Sequence, residues 1–158
     1  MKKRSFYVLT YLILLLFIFY PLAFSVQDIQ RLNHADLIDT INKDNGRAVL
    51  VVFWATWCKP CQEKMPELNK LRSQFAKDKL NILAVSIDYS PQMLASYLNN
   101  YQLDFPIYLA TSDVTNIFRV QGVPKFMLYD QQGQCVLTHS GKYPIQKLQG
   151  KITKLIKR

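Results

Sequence analysis

The 158-residue chain is poor in the residues that mark extreme classes of protein. Three cysteines are too few to staple a mini-fold, and an odd number cannot pair fully within one chain. Five glycines and seven prolines exclude collagen-like and low-complexity sequence. There are no internal repeats, and no acidic residue precedes Asp28. What is present supports one packed domain of ordinary size, with 49% hydrophobic and 20% charged residues. The net charge is +9; without the first 25 residues, the remaining 133 carry 17 basic and 11 acidic side chains, or +6. That excess suits an acidic partner, a membrane surface or plain solvation equally well, and nothing points to nucleic acid.

Residues 6–24 form one long apolar run whose only polar groups are Thr10 and tyrosine hydroxyls. As a helix it would span about 28 Å, close to a bilayer core. The basic flank Lys2, Lys3 and Arg4 should stay in the cytoplasm and send the rest of the chain outward. Two readings compete. An uncleaved anchor fits the length. A signal peptide would use Ala23-Phe24-Ser25 as its small-x-small cleavage site, with Pro21 just before it. Either way residues 1–25 are a signal or anchor segment, and residues 26–158 are a domain outside the cytoplasm, where disulfides persist.

Within that domain, residues 36–42 read as a helix with Leu37, Ile38 and Ile41 on one face, and Asn45-Gly46 as a turn. Residues 48–54 and 81–87 are continuous apolar runs, the mark of strands buried on both faces of a parallel sheet. Residues 58–77 read as a helix with Met65, Leu68, Leu71 and Phe75 on one stripe and Pro66 as a kink. A helix over 91–101, a strand over 105–109 and a short helix over 113–119 follow. Residues 125–129 and 135–138 flank Gln132-Gly133 as a hairpin. A helix over 144–157 closes the chain, with Ile145, Leu148, Ile152, Leu155 and Ile156 inward and Gly150 as a weak point. Alternating strands and helices, then a hairpin and a last helix, predict an α/β fold with a mixed central sheet covered on both faces.

Chemistry concentrates at Cys58-Lys59-Pro60-Cys61. Two cysteines at this spacing can close a disulfide ring. They follow a buried strand and open a helix, where free N–H groups and the helix dipole stabilise an anion. The Cys58 thiol is therefore expected to be exposed and to ionise below the free value of about 8.5, helped by Lys59. Cys61 lies one turn inside. Cys58 would attack a substrate disulfide, and Cys61 would resolve the mixed disulfide. A CxxC pair is also half of a zinc site, but His34, Cys135 and His139 are distant and isolated. A purely structural disulfide is the other alternative.

The segment Phe53-Trp54-Ala55-Thr56-Trp57-Cys58-Lys59-Pro60-Cys61 closely resembles the active-site segment of the thioredoxin superfamily, and residues 49–66 its membrane-anchored, extracytoplasmic TlpA/ResA-like branch. Pro66 lies where these proteins kink the active-site helix. Gly122-Val123-Pro124 resembles the segment carrying their cis-proline, and residues 92–111 resemble an extra helix-and-strand insert. The resemblance implies a thioredoxin-like fold over about residues 35–158, with no cofactor beyond the redox-active disulfide. It also implies that Pro124 lies beside the cysteines, so that Val123 can pair with an extended substrate peptide. An ordinary trans proline starting a strand is the alternative. Trp57 should offer apolar contact surface, while Phe53 and Trp54 belong to the core. Lys59 and Pro60 would tune the thiol.

Two departures stand out. Cytoplasmic thioredoxins carry a buried aspartate where this chain has Val52. Many TlpA/ResA-like proteins have a glutamate three residues after the second cysteine, and here that residue is Lys64, read as a solvated surface lysine or else as a charge that lowers a thiol pKa. The proton acceptor for Cys61 is thus unassigned, with Glu63 and Glu67 as candidates. Cys135 reads as a small hydrophobe, or else a regulatory or intermolecular thiol. His139 reads as a surface or strand-end residue. Lys147, Lys151, Lys154, Lys157 and Arg158 form a basic helix face, solvated or facing an anionic partner.

The resemblance implies a thiol–disulfide oxidoreductase of the bacterial cell envelope. It would face the periplasm from a single inner-membrane anchor, or be soluble there after cleavage. It would act on protein disulfides, draw electrons from a membrane donor and work reductively, as in cytochrome c maturation. A disulfide oxidase or isomerase is the runner-up. A copper-handling chaperone of the same fold would suit soft thiolates, but such relatives use a wider cysteine gap and a partner histidine. A thiol peroxidase would need a threonine where this chain has Ala55.

Overall fold

The computed structural model describes residues 29–44 and 46–157. The proposed signal or anchor segment with its cleavage site, Asn45 of the expected turn, and Arg158 lie outside the described residues. Among the described residues no helix is long and apolar enough to cross a membrane. The elements are β1 (Arg31–Leu32), α1 (His34–Lys43), β2 (Ala48–Trp54), α2 (Lys59–Ser73), β3 (Leu80–Ser86), α3 (Pro91–Leu98), β4 (Ile107–Ala110), α4 (Ser112–Ile117), β5 (Lys125–Tyr129), β6 (Cys135–Ser140) and α5 (Ile145–Ile156).

The strands form one mixed sheet in the order β1-β4-β3-β2-β5-β6. β1, β4, β3 and β2 run parallel, while β5 lies antiparallel to β2 and to β6. Every residue of β2 is buried, and strand alternation explains why. Leu50, Val52 and Trp54 face a core built with Met65, Leu68 and Leu71 of α2, Leu94 of α3, and Leu148 and Ile152 of α5. Val49, Val51 and Phe53 face the opposite core, with Leu37 and Ile41 of α1 and Val114 of α4. The helix and strand expected over residues 92–111 are present as α3 and β4, and β4 lies between β1 and β3.

Several expectations are corrected. β1 has only two residues, too few for a periodic signal. In α1 the inward pair is Leu37 and Ile41; Ile38 is 42% exposed, because one step turns it about 100° away. α2 ends at Ser73, four residues early, where the Arg72 guanidinium donates to the Phe75 carbonyl (2.9 Å) and fixes a turn. α3 ends at Leu98, and the Asn100 and Tyr101 N–H groups close tighter turns onto Tyr97 and Leu98. β4 begins only after Pro106, which has no N–H to give a ladder. β6 runs two residues beyond the expected end, pairing Ser140 with Lys125. Cys135 is exposed rather than a buried small hydrophobe, since it opens an edge strand just past the hairpin. That hairpin is set by the Asp130 carboxylate, which accepts from the Gln132 and Gln134 N–H groups, and by Gly133 at φ +76°.

Candidate functional site

The C-terminal end of β2 delivers the chain into a short turn, closed by the Cys58 N–H donating to the Ala55 carbonyl (3.2 Å). α2 begins directly after it. Cys58 is the N-cap, with Lys59 and Pro60 in the first turn, where the backbone N–H that proline lacks would have no helical partner anyway. The Cys58 carbonyl accepts from the Cys61 and Gln62 N–H groups. The Cys58 sulfur also takes the Cys61 N–H, at 3.3 Å. A helix amide aimed at this sulfur is the arrangement that stabilises a thiolate.

Cys58 and Cys61 are joined as a disulfide, S–S 2.06 Å. Cys61 is 1% exposed, one turn inside the helix. The expectation of an exposed Cys58 is corrected for this oxidised form, in which Cys58 is only 6% exposed. Its sulfur is covered by its partner and by the loop before β5, lying 3.6 Å from the Val123 carbonyl oxygen. A disulfide sulfur has no proton to donate; the reduced thiol would have one. The Val123–Pro124 peptide bond is cis, and Pro124 is buried. Lys125, next in sequence and 5% exposed, donates from Nζ to the Phe118 (2.7 Å) and Arg119 (2.9 Å) carbonyls. This pins the Val123 loop to the end of α4, and burial lowers the Lys125 pKa.

Trp57 is 51% exposed beside the disulfide, whereas Phe53 and Trp54 are fully buried. Lys59 is exposed. Glu67 is bonded to Lys64 (2.7 Å) and Glu63 lies 3.7 Å from Lys142. The two candidate proton acceptors are thus engaged by lysines. Lys64 is corrected from a solvated lysine, its side chain being 15% exposed. These four residues line a cavity of about 230 Å³ with Pro60, Tyr143 and Pro144. His139 packs its ring on Tyr143 (4.8 Å) and is not brought to the disulfide. Among the described residues no cluster of three or more His, Cys, Asp or Glu is placed to hold a metal.

Sequence reasoning missed Asp88. It is 5% exposed and accepts from the Thr56 N–H (3.1 Å) and hydroxyl (2.7 Å), one residue before Trp57. The available signal was its place just past a buried parallel strand, where open α/β sheets build their sites.

Sheet order, a disulfide CxxC at the start of α2 and a cis-proline loop over it define a thioredoxin-like protein. The chain belongs to the thioredoxin-like family, whose model matches residues 45–135. It is similar to the thioredoxin-like protein YneN of Bacillus subtilis, 33% identical over 110 residues, covering 68% of this chain and 64% of that one. It is also similar to the thiol–disulfide oxidoreductase ResA of Bacillus thuringiensis, 29% identical over 111 residues, covering 70% of this chain and 64% of the relative. Each match therefore spans less than two thirds of the relative's length. Among solved structures, a thiol:disulfide interchange protein DsbE from Chlorobium tepidum superposes with a TM-score of 0.67 at 25% identity, covering 72% of this chain and 83% of that one.

Proposed function

We propose that this protein is a thiol–disulfide oxidoreductase acting on protein disulfides. The observation that carries the reading is the Cys58–Cys61 disulfide at the N-terminus of α2, with the Cys61 N–H aimed at the Cys58 sulfur. In the reduced protein the Cys58 thiolate attacks a substrate disulfide. One substrate sulfur leaves as a thiolate and the other forms a mixed disulfide with Cys58. Cys61, deprotonated, then attacks Cys58, releases the second substrate thiol and regenerates the protein disulfide. Trp57 and the Val123–Pro124 backbone receive the substrate segment, and Lys59 and Pro60 tune the attacking thiol. Glu63 and Glu67 would serve as proton acceptors for Cys61 only after release from their lysines.

The names of the relatives support this activity, and the resemblance supports the reductive direction, with cytochrome c maturation as one destination and a membrane electron donor upstream. Residues 1–25 would act as the anchor or signal, placing residues 26–158 outside the cytoplasm. Insulin reduction tests the activity. Cys58→Ser should abolish it, and Cys61→Ser should accumulate mixed disulfides visible on non-reducing gels. Full activity in Cys58→Ser contradicts the mechanism.

A further inference from the structure

Asp88 is a buried carboxylate that the exchange chemistry above does not employ. Ser86 pairs with Trp54 at the ends of β3 and β2, and the Ile87 N–H donates to the Trp54 carbonyl (2.8 Å). The two chain segments therefore leave the sheet side by side. Asp88 then accepts from the Thr56 N–H (3.1 Å to each oxygen), the Thr56 hydroxyl (2.7 Å) and the Ser86 hydroxyl (2.6 Å). The Thr56 carbonyl is held in turn by the Gln62 side chain. Cys58 is two residues beyond Thr56 in the same turn, so their Cα atoms lie at most about 7 Å apart. The partners of Asp88 among the described residues are all neutral donors, and its charge is not cancelled by a paired cation.

We propose that Asp88 is a positioning and tuning residue: its carboxylate holds the turn that presents Cys58, and its negative charge disfavours the Cys58 thiolate, making the pair a stronger reductant. The inference rests on the exchange reading above. Val52 leaves no acid on β2 and Lys64 none at the third position after Cys61, so among the described residues Asp88 is the buried acid at this end of the sheet. A unit charge about 10 Å away at an effective dielectric near 20 changes an equilibrium by about tenfold. The neighbouring Lys59 acts in the opposite sense from the exposed side.

The test is the equilibrium of the full-length protein with glutathione at pH 7. Two glutathione thiols supply the two electrons and two protons that convert the protein disulfide to a dithiol, forming one glutathione disulfide. Asp88→Asn removes the charge and keeps the shape. It should shift the equilibrium toward the dithiol by up to about tenfold, or about 30 mV more oxidising where the thiolate is the dominant reduced form, and should speed Cys58 alkylation at pH 6. Thr56→Val removes one hydroxyl donor and keeps the charge, and should shift the equilibrium by less than about threefold. Equal shifts in the two variants, or none in Asp88→Asn, overturn the tuning role. Should Asp88→Asn fail to fold, carbon-13 NMR of the reduced natural protein decides. The Asp88 carboxyl resonance should inflect as Cys58 ionises and lose that inflection in Cys58→Ser; a flat resonance overturns the proposal. A natural disulfide that never equilibrates with glutathione contradicts the oxidoreductase reading itself, while the NMR coupling still judges Asp88.

Discussion

Tyr97 shows how a single side chain departs from what its chemistry prefers. Among the described residues its hydroxyl is buried without a hydrogen-bond partner, and its ring packs edge-on to Trp54 at 5.2 Å and stacks on Tyr101 at 4.4 Å. A buried unpaired hydroxyl costs about 1–3 kcal/mol. Tyr97→Phe keeps the ring contacts and removes the orphan, so urea unfolding at pH 7 should show equal or higher stability. Burial, with Tyr101 beside it, pushes the Tyr97 pKa up to about 12. A raised pKa gives stability that is complete below the unfolded value near 10 and lost as pH rises toward 12. Tyr97→Phe should blunt that alkaline loss. Gly150 is a simpler case: it sits in α5, exposed, and an added Cβ would meet nothing within 4 Å among the described residues. Gly150→Ala should stabilise by about 0.5–1 kcal/mol, read as a rise in thermal midpoint.

At the scale of elements, the edge of the sheet nearest the N-terminus is held by one small cluster. The Asp113 carboxylate at the start of α4 accepts from the Thr111 hydroxyl, the His34 N–H (2.9 Å) and the His34 ring. The Thr111 bond first, then those to His34, hold the Asp113 pKa well below the usual carboxylate range. A depressed pKa contributes stability above the unfolded value near 3.9, lost as pH falls through the lower folded one. Asp113→Asn should therefore be less stable than the natural protein at pH 7, and the gap should be smaller at pH 2.5, where part of the contribution is lost; chemical denaturation at the two pH values checks both. The same scale explains what was legible in the sequence. Ala48–Trp54 and Lys125–Tyr129 were readable to the residue because every position or nearly every position is buried. The ends of α2 and α3 were not, because an arginine–carbonyl bond and local turns terminate them and neither has periodicity. β1 exists only through its pairing to Leu109 and Ala110, a long-range contact invisible in two residues.

On the scale of the whole molecule, parallel β2 and β3 end together, and that end carries Cys58, Thr56 and Asp88. The antiparallel β5 begins there, placing Val123 and Pro124 over the disulfide. The cysteines and the proline were legible because a motif marks them. Asp88 and the engaged Lys64 were not, since burial and pairing are products of tertiary packing. Phe126, fully buried and paired across from Val52, ties β5 to this assembly. Phe126→Ala should cost about 3–5 kcal/mol in urea unfolding.

Disulfide exchange by this site turns on the ionisation of the Cys58 thiol. The direct measurement is the pH dependence of alkylation of the reduced protein, with each cysteine identified by peptide mass mapping. Cys58 should react ahead of buried Cys61, with a midpoint below about 8.5. A Cys58 that stays unreactive through neutral pH, or that ionises only above that value, would contradict it.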